Sequence, residues 1–368
     1  MKKEKYKVGI IGATGMVGQR FITLLADHPW YDVAVLAASP RSAGKAYKDA
    51  VGAKWCMDGE IPANIADMTV MNATDDVEKI AGMVDFVFCA VDMNKDEIKA
   101  LEERYAKAEC PVVSNNSAHR HTPDVPMIIP EINPEHLDII PAQRERLDTK
   151  RGFIAVKSNC SLQSYLPAMA VINEKYPIDH ALVTTYQAIS GAGKTFETWP
   201  EMVDNLIPYI GGEEMKSEVE PNKILGKIEG KEIVPSTELA IECQTYRVPV
   251  SNGHTAAIFF SFKDGVKKPS VEEMENMWRE YKGEPQTLEL PHAPKQFIYV
   301  HTEAEEPSMP QIKTAREIDG GMAISCGRLR ESTQYDYKMV SMSHNTLRGA
   351  AGGAVLLAEL LTAKGWMD

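Results

Sequence analysis

The run "VGIIGATGMVGQR" at residues 8–20 constrains this chain more than any other feature. Residues 7–11 read as a short buried strand, Gly12, Gly15 and Gly18 punctuate a turn, and Phe21, Leu24 and Leu25 follow at helical spacing. In such a strand–turn–helix unit each glycine has its own task. Gly12 permits the tight turn, Gly15 lets backbone approach a pyrophosphate, and Gly18 lets helix meet strand, while the first helical N–H groups stay free for phosphate oxygens. A nucleotide is therefore the expected ligand. Apolar runs of strand length recur at residues 33–38, 85–91 and 111–114, with a helix-like stretch at 95–108 between the last two. Strands alternating with helices predict a parallel sheet covered on both faces.

A chain of 368 residues exceeds what one core usually accommodates, so two domains are expected. After about residue 157 the texture changes. Residues 181–188 and 255–262 look like longer strands of mixed polarity, followed by a helix over 271–281, which predicts an α+β second domain with antiparallel or mixed pairing. The polar stretch 143–152 reads as a surface excursion just before the boundary. The closing "SHNTLRGAAGGAVLLAELLTAKGW" suits a helix packed closely on another element. With 44% apolar and 25% charged residues, the composition is that of an ordered globular enzyme. Forty Lys and Arg against 52 Asp and Glu give a net charge of −12, which argues against nucleic acid as a partner. An anionic substrate must then be held by locally placed cations. The six cysteines show no CxxC spacing, so neither a zinc knuckle nor a disulfide framework is expected. His119 and His121 lack a third ligand nearby, and no metal is expected there. The apolar run near the N-terminus is broken at once by glycines, which excludes a signal peptide or membrane span and predicts a cytoplasmic protein.

The second strand ends in "AASPRSAGK", with Ser39, Arg41 and Ser42 where a carboxylate would meet a free ribose 2′-hydroxyl, and Asp32 stands at the wrong end. A guanidinium with two hydroxyls suits a 2′-phosphate, so NADP is expected rather than NAD. In "SNCSLQSYLPAMAVINE", Cys160 precedes an apolar-periodic helix beginning near Leu162, whose field should depress the thiol pKa. Cys56 and Cys89 read instead as structural. His254, in "VSNGHTAAIFF", leaves a turn directly into a strand and can face a cleft. A Cys–His pair supports attack on a carbonyl; with a nicotinamide present, an aldehyde is captured as a thiohemiacetal, oxidised to a thioester and passed to an acceptor. The stretch "AISGAGKT" at residues 188–195 mimics a P-loop, but Ala188 replaces its first glycine and Pro200 forbids a sustained helix behind Lys194 and Thr195. A loop over the nicotinamide end of the cofactor is the better reading.

"GATGMVG", "SNNSAHR", "SNCS", "TYQAISGAG", "GGEEMK", "YRVPVSNGH" and "HNTLRGAAG" follow one another along nearly the whole chain. In this the sequence resembles the aspartate-β-semialdehyde dehydrogenase family, most of all its archaeal and fungal branch. The resemblance implies an α/β fold of the glyceraldehyde-3-phosphate dehydrogenase-like kind. An N-terminal NADP-binding Rossmann domain over 1–157, completed by a C-terminal helix near 345–368, would join an α+β catalytic and dimerisation domain over 158–344. It implies Cys160 as acyl-thioester nucleophile, His254 as acid/base, Asn159 polarising the carbonyl and Gln187 orienting substrate. Arg247 would clamp the α-carboxylate, and Glu213 or adjacent Glu214 would pair the α-amino group. Arg120, Asn116 and Lys216 would cradle phosphate. Gly12, Thr14, Gly15, Met16, Val17, Ser39, Arg41, Ser42, Ser190, Gly191 and Asn345 would hold NADP(H).

The reaction implied is NADPH-dependent reduction of L-4-aspartyl phosphate to L-aspartate 4-semialdehyde, by a homodimer or homotetramer, in the branch leading to lysine, methionine and threonine. Leu162 stands where the family commonly has threonine, and Ser158 where it often has proline; both bear on the acyl acceptor. A malonyl-CoA reductase on the same fold, N-acetyl-glutamyl-phosphate reductase at greater distance, and a non-catalytic NADPH-binding regulator are the alternatives.

Overall fold

The computed structural model describes residues 5–302 and 311–368. Seven strands form the first sheet: β1 (Tyr6–Ile11), β2 (Tyr31–Ala38), β3 (Met71–Asn72), β4 (Phe86–Cys89), β5 (Val112–Ser114), β6 (Met127–Ile128) and β7 (Ile154–Lys157). Their order is β3-β2-β1-β4-β5-β7-β6, with every pair parallel. The order reverses beside β1, where the chain first winds toward β2 and β3 and then returns to β4 on the other side. Outside the carboxyl ends of β1 and β4 this opens a crevice, the place where doubly wound sheets receive ligands.

The chain continues through β8 (Ile178–Gln187), the hairpin of β9 (Lys227–Glu229) and β10 (Glu232–Val234), β11 (Ala240–Arg247), β12 (His254–Phe262), β13 (Ile298–His301), β14 (Ile324–Glu331) and β15 (Tyr337–Ser343). A second sheet, ordered β11-β8-β12-β15-β14-β13, mixes directions. β8 runs parallel to β11 and β13 to β14, while the other neighbours are antiparallel. Strict alternation along β12 buries Ala256, Ile258 and Phe260 on one face and leaves Thr255, Ala257 and Phe259 half-buried on the other.

The helix Ala351–Ala363 is buried from Ala351 through Leu361. It shares one core with Ile10, Phe21, Leu36 and Phe88, and thus covers a face of the first sheet from the far end of the chain. Its one carboxylate, Glu359, accepts from His28 Nε2 at 2.8 Å, His292 Nδ1 at 2.6 Å and the His292 N–H at 3.0 Å. Burial works against ionisation there, but the two histidines hold the carboxyl below its ordinary range. The Trp30 N–H donates to His28 Nδ1 at 3.0 Å, which leaves the His28 proton on Nε2 facing Glu359. The cluster is thus a satisfied polar fastening.

The stretch expected as a surface excursion is instead partly core. Residues Ile140–Leu147 form a helix whose Gln143 is fully buried. Its amide donates to the carbonyls of Asp124 and Ile154, both at 2.9 Å, and accepts the Ile154 N–H at 2.6 Å, tying down the start of β7. Polar composition concealed it, because a buried amide with three partners looks in sequence like a solvated one. His119 is also buried and bonds the Thr122 hydroxyl and the Lys99 carbonyl. Among the described residues no helix is long and apolar enough to cross a membrane.

Candidate active site

The glycine turn fits a dinucleotide by exclusion. A Cβ at Gly12 would lie 2.3 Å from the Ala90 carbonyl oxygen, and one at Gly18 would lie 2.3 Å from that of Gly12, whereas at Gly15 the nearest atom is 3.6 Å away. Two glycines therefore serve packing, and the third keeps space free. The helix Met16–Leu25 begins at Gly15 without a side-chain cap, so its first N–H groups face outward. Gln19 Nε2 donates to the Thr14 carbonyl at 3.0 Å and fixes the turn. Met16 and Val17 line a cavity of about 280 Å³ that reaches Cys160. Ser39, Arg41 and Ser42 occupy the turn leaving β2, with Ser39 and Arg41 exposed and the Ser42 N–H donating to the Ser39 carbonyl at 2.9 Å.

β7 delivers Cys160 and the start of β12 delivers His254, with Sγ and Nε2 3.4 Å apart. The Ala188 N–H donates to His254 Nδ1 at 3.1 Å. The neutral ring therefore carries its proton on Nε2, aimed at the sulfur. Burial, reinforced by the Arg247 charge, pushes His254 down to about 3. Burial, then the Glu213 carboxylate, push the Cys160 thiol up, while Lys157, Arg120 and Arg247 pull the other way.

The expected helix field on Cys160 is not what the structure provides. Leu162–Ser164 is a single 3₁₀ turn, Tyr165 breaks it at φ −141°, and the α-helix proper is Leu166–Lys175. The apolar spacing was read correctly, but its helical part begins too late to supply aligned peptide dipoles at the sulfur.

Asn159 is buried and committed. Its Oδ1 accepts the Ser161 N–H at 2.7 Å, its Nδ2 donates to Glu213 at 3.0 Å, and its N–H donates to Glu220 at 3.0 Å. Glu213 also receives Lys216 Nζ at 2.5 Å and Gln187 Nε2 at 3.5 Å. Burial would raise this carboxyl, yet Lys216 and the Asn159 amide hold it below its ordinary range. Of the two adjacent glutamates, Glu213 lines the cavity, while Glu214 turns to accept the Thr245 N–H of β11 at 3.2 Å.

Arg120 reaches Glu220 at 3.0 Å and the Lys157 carbonyl at 3.1 Å, and Arg247 reaches the Ala188 carbonyl at 2.7 Å. A Cβ at Gly191 would meet Arg247 Nη1 at 2.8 Å, so a side chain there would push the guanidinium from its place. Asn345 donates to the Ser190 hydroxyl at 2.9 Å and accepts the Gly253 N–H at 2.7 Å, joining the loop of residues 188–193 to the C-terminal segment. Ile189–Ala192 is one 3₁₀ turn followed by left-handed Gly193 and exposed Lys194, which is not a P-loop geometry.

Asn116 departs from expectation. Its amide points away from the cavity, to Glu102 at 2.9 Å and Cys89 Sγ at 3.4 Å. Neighbouring Asn115 lines the cavity instead, and its buried Oδ1 has no partner. Adjacent asparagines in a turn face opposite ways, and nothing in their sequence says which faces inward. Lys157, Ser117, Thr346, Gly349 and Ala350 also line the cavity without having been anticipated.

A model of the semialdehyde dehydrogenase NAD-binding domain matches residues 7–140, and one of the semialdehyde dehydrogenase dimerisation domain matches residues 169–348. The aspartate-semialdehyde dehydrogenase of Saccharomyces cerevisiae is 42% identical over 97% of each chain. The chain belongs to the aspartate-semialdehyde dehydrogenase family. The Methanothermobacter thermautotrophicus relative is 40% identical over 96% of this chain and 98% of its own. The aspartate semialdehyde dehydrogenase of Candida albicans, solved with NADP, superposes with a TM-score of 0.87 at 39% identity, covering 98% of this chain and 99% of that one. A Vibrio cholerae structure at 24% identity and a TM-score of 0.73 extends the likeness of fold alone.

Proposed function

We propose that this member of the family catalyses the reversible, NADPH-dependent reductive dephosphorylation of L-4-aspartyl phosphate to L-aspartate 4-semialdehyde, in the biosynthesis of lysine, methionine and threonine. The observation that carries the reading is the Cys160–His254 contact of 3.4 Å at the wall of a cavity that begins at the cofactor helix. The malonyl-CoA and N-acetyl-glutamyl-phosphate readings draw no support from the relatives, and a regulator without turnover has no use for a thiol–imidazole contact.

NADPH would lie across the carboxyl end of the first sheet. Gly12, Thr14, Gly15, Met16 and Val17 would take its pyrophosphate, Ser39, Arg41 and Ser42 its 2′-phosphate, and Ser190, Gly191 and Asn345 its nicotinamide end. Bound there, it supplies the hydride. As its thiolate, Cys160 Sγ attacks the substrate's C4 carbonyl and the C–O bond to phosphate breaks, leaving an acyl thioester on Cys160. Arg120 and Lys216 receive the departing phosphate. His254, held neutral with Nε2–H forward, donates a hydrogen bond to the carbonyl oxygen as negative charge grows there. After reduction the C–S bond breaks, the aldehyde leaves and the thiolate returns.

Arg247 would hold the α-carboxylate, Gln187 would orient the acyl group and Glu213 would take the α-ammonium. That ammonium would replace Lys216 on Glu213 and free Lys216 for phosphate. The division at about residue 157 is supported by β7 closing the first sheet there and by the C-terminal helix sharing that sheet's core. Exposed Val203, Leu206, Tyr209, Met215 and Val219 support burial against a second copy, as a homodimer or a homotetramer. The cytoplasm is the compartment proposed, with its reducing conditions suited to a free catalytic thiol.

The test is NADPH formation at 340 nm from NADP and L-aspartate semialdehyde, with and without phosphate, with Cys160→Ala as blank. Phosphate-dependent turnover lost in the variant is expected. Turnover that needs coenzyme A in place of phosphate would overturn the reading.

A further inference from the structure

Lys157, the last residue of β7, is 1% exposed and forms part of the wall of the Cys160 cavity. Its Nζ carries three protons, yet donates one hydrogen bond among the described residues, to the adjacent Ser158 carbonyl. The same protein shows what a structural buried ammonium looks like. Lys223 Nζ donates to three carbonyls, those of Arg120 at 2.9 Å, Thr122 at 2.6 Å and Val125 at 2.8 Å. Nor does Lys157 have a carboxylate of its own, because the nearby Glu220 is taken by Arg120 and by the Asn159 N–H. Its stem is fixed beside the C-terminal helix, where a Cβ on Gly353 would sit 3.4 Å from its Cδ. A cation held this way destabilises the fold unless an anion appears in the cavity.

The anion available is the thiolate of Cys160. Burial and Glu213 disfavour it, no helix terminus offsets them, and His254 is neutral. Among the described residues the cations lining the cavity are Lys157, Arg120 and Lys216, with Arg247 behind its Gly191 wall. Arg120 is paired with Glu220, Lys216 with Glu213, and Arg247 is assigned to the substrate carboxylate. Lys157 remains.

We propose that Lys157 is a further functional residue of this site, whose ammonium stabilises the Cys160 thiolate and sets the pH at which the nucleophile becomes reactive. This rests on Cys160 being the nucleophile. Burial, with the Arg120 charge next and Arg348 adding to it, brings Lys157 down to about 7, whereas Cys160 and Glu220 act to raise it. Ammonium and thiol therefore act on each other as an interacting pair, Lys157 drawing the Cys160 thiol down and Cys160 drawing the ammonium up.

The experiment follows alkylation of Cys160 by iodoacetamide in the full-length enzyme from pH 5.5 to 9.5, read by mass on the Cys160 peptide so that exposed Cys56 does not contribute. Wild type is compared with Lys157→Met and Lys157→Arg. In the methionine variant the midpoint is expected to rise by about one pH unit, a fall of about tenfold in rate at pH 7, with rates converging at high pH. The arginine variant, which keeps the charge, is expected to stay near wild type. Superimposable profiles for wild type and Lys157→Met, or a rate reduced equally at every pH, would overturn the proposal while leaving Cys160 the nucleophile. A wild-type Cys160 no more reactive than buried Cys89 would overturn both.

Discussion

Replacing Lys157 by methionine should make the protein more stable, and the pH dependence of that gain is the informative part. Burial carries the ammonium from the ordinary lysine value of 10.5 down to about 7. That difference corresponds to about 5 kcal/mol of destabilisation whenever both folded and unfolded chains are protonated. The folded-state pKa lies below the unfolded one, so the handicap is complete below about pH 7, shrinks as pH rises and is gone above 10.5. Methionine fills a similar volume but loses the hydrogen bond to Ser158, worth about 1 kcal/mol. A net gain of about 3–4 kcal/mol at pH 6 and almost none at pH 9.5 is expected, on the order of 4 °C in Tm at the lower pH. The assay is thermal unfolding of both proteins at both pH values and one protein concentration, since association ties Tm to concentration. A variant that melts lower at pH 6, or an advantage equal at both pH values, would refute the reasoning that this cation is uncompensated in the free enzyme.

Three further outcomes are expected. Arg41→Ala should lower kcat/KM with NADPH by about 30-fold through loss of a charge-assisted contact of about 2 kcal/mol, with NADH little changed; an unaltered preference would remove Arg41 from the 2′-phosphate. Asn115→Ala should raise KM for phosphate with Tm near wild type, whereas Asn116→Ala should lower stability by about 1–2 kcal/mol and leave that KM alone, because its amide serves buried Glu102; steady-state kinetics beside melting curves would show the reverse if Asn116 faces the substrate. Arg348 and Glu131 are fully or almost fully buried and joined at 2.7 Å, so Arg348→Met should lose about 3–5 kcal/mol in urea titration; an unshifted midpoint would mean that the pair adds no net stability.

Much of this was legible in the sequence because local rules and tertiary demands agree. The cofactor turn is one example: Gly12 and Gly18 are required by packing that the strand–helix pattern already implies, and Gly15 by the absence of it. β2 and β4 were read from unbroken apolar runs, as expected for strands buried on both faces. What could not be read depends on orientation or on partners distant in sequence. Asn115 and Asn116 differ only in which way each side chain turns, Gln143 is interior because Asp124 and Ile154 offer it partners, and the delayed helix after Cys160 follows from an irregular Tyr165. Lys157 was passed over because a lysine closing a strand ordinarily marks the surface. The stem of that lysine packs beside Gly353, almost 200 residues further along the chain, which no local pattern shows.

That last contact belongs to a helix with a consequence for how the protein is made. Residues Ala351 through Leu361 complete a core begun by Ile10, Phe21 and Leu36. During translation the first sheet therefore emerges with one apolar face uncovered, and it stays so until the helix Ala351–Ala363 has been made. The second sheet, made later, has all its strands before that moment. The first sheet thus depends on residues synthesised after the whole of the second, and a premature stop after residue 349 would leave that face exposed to chaperones and proteases.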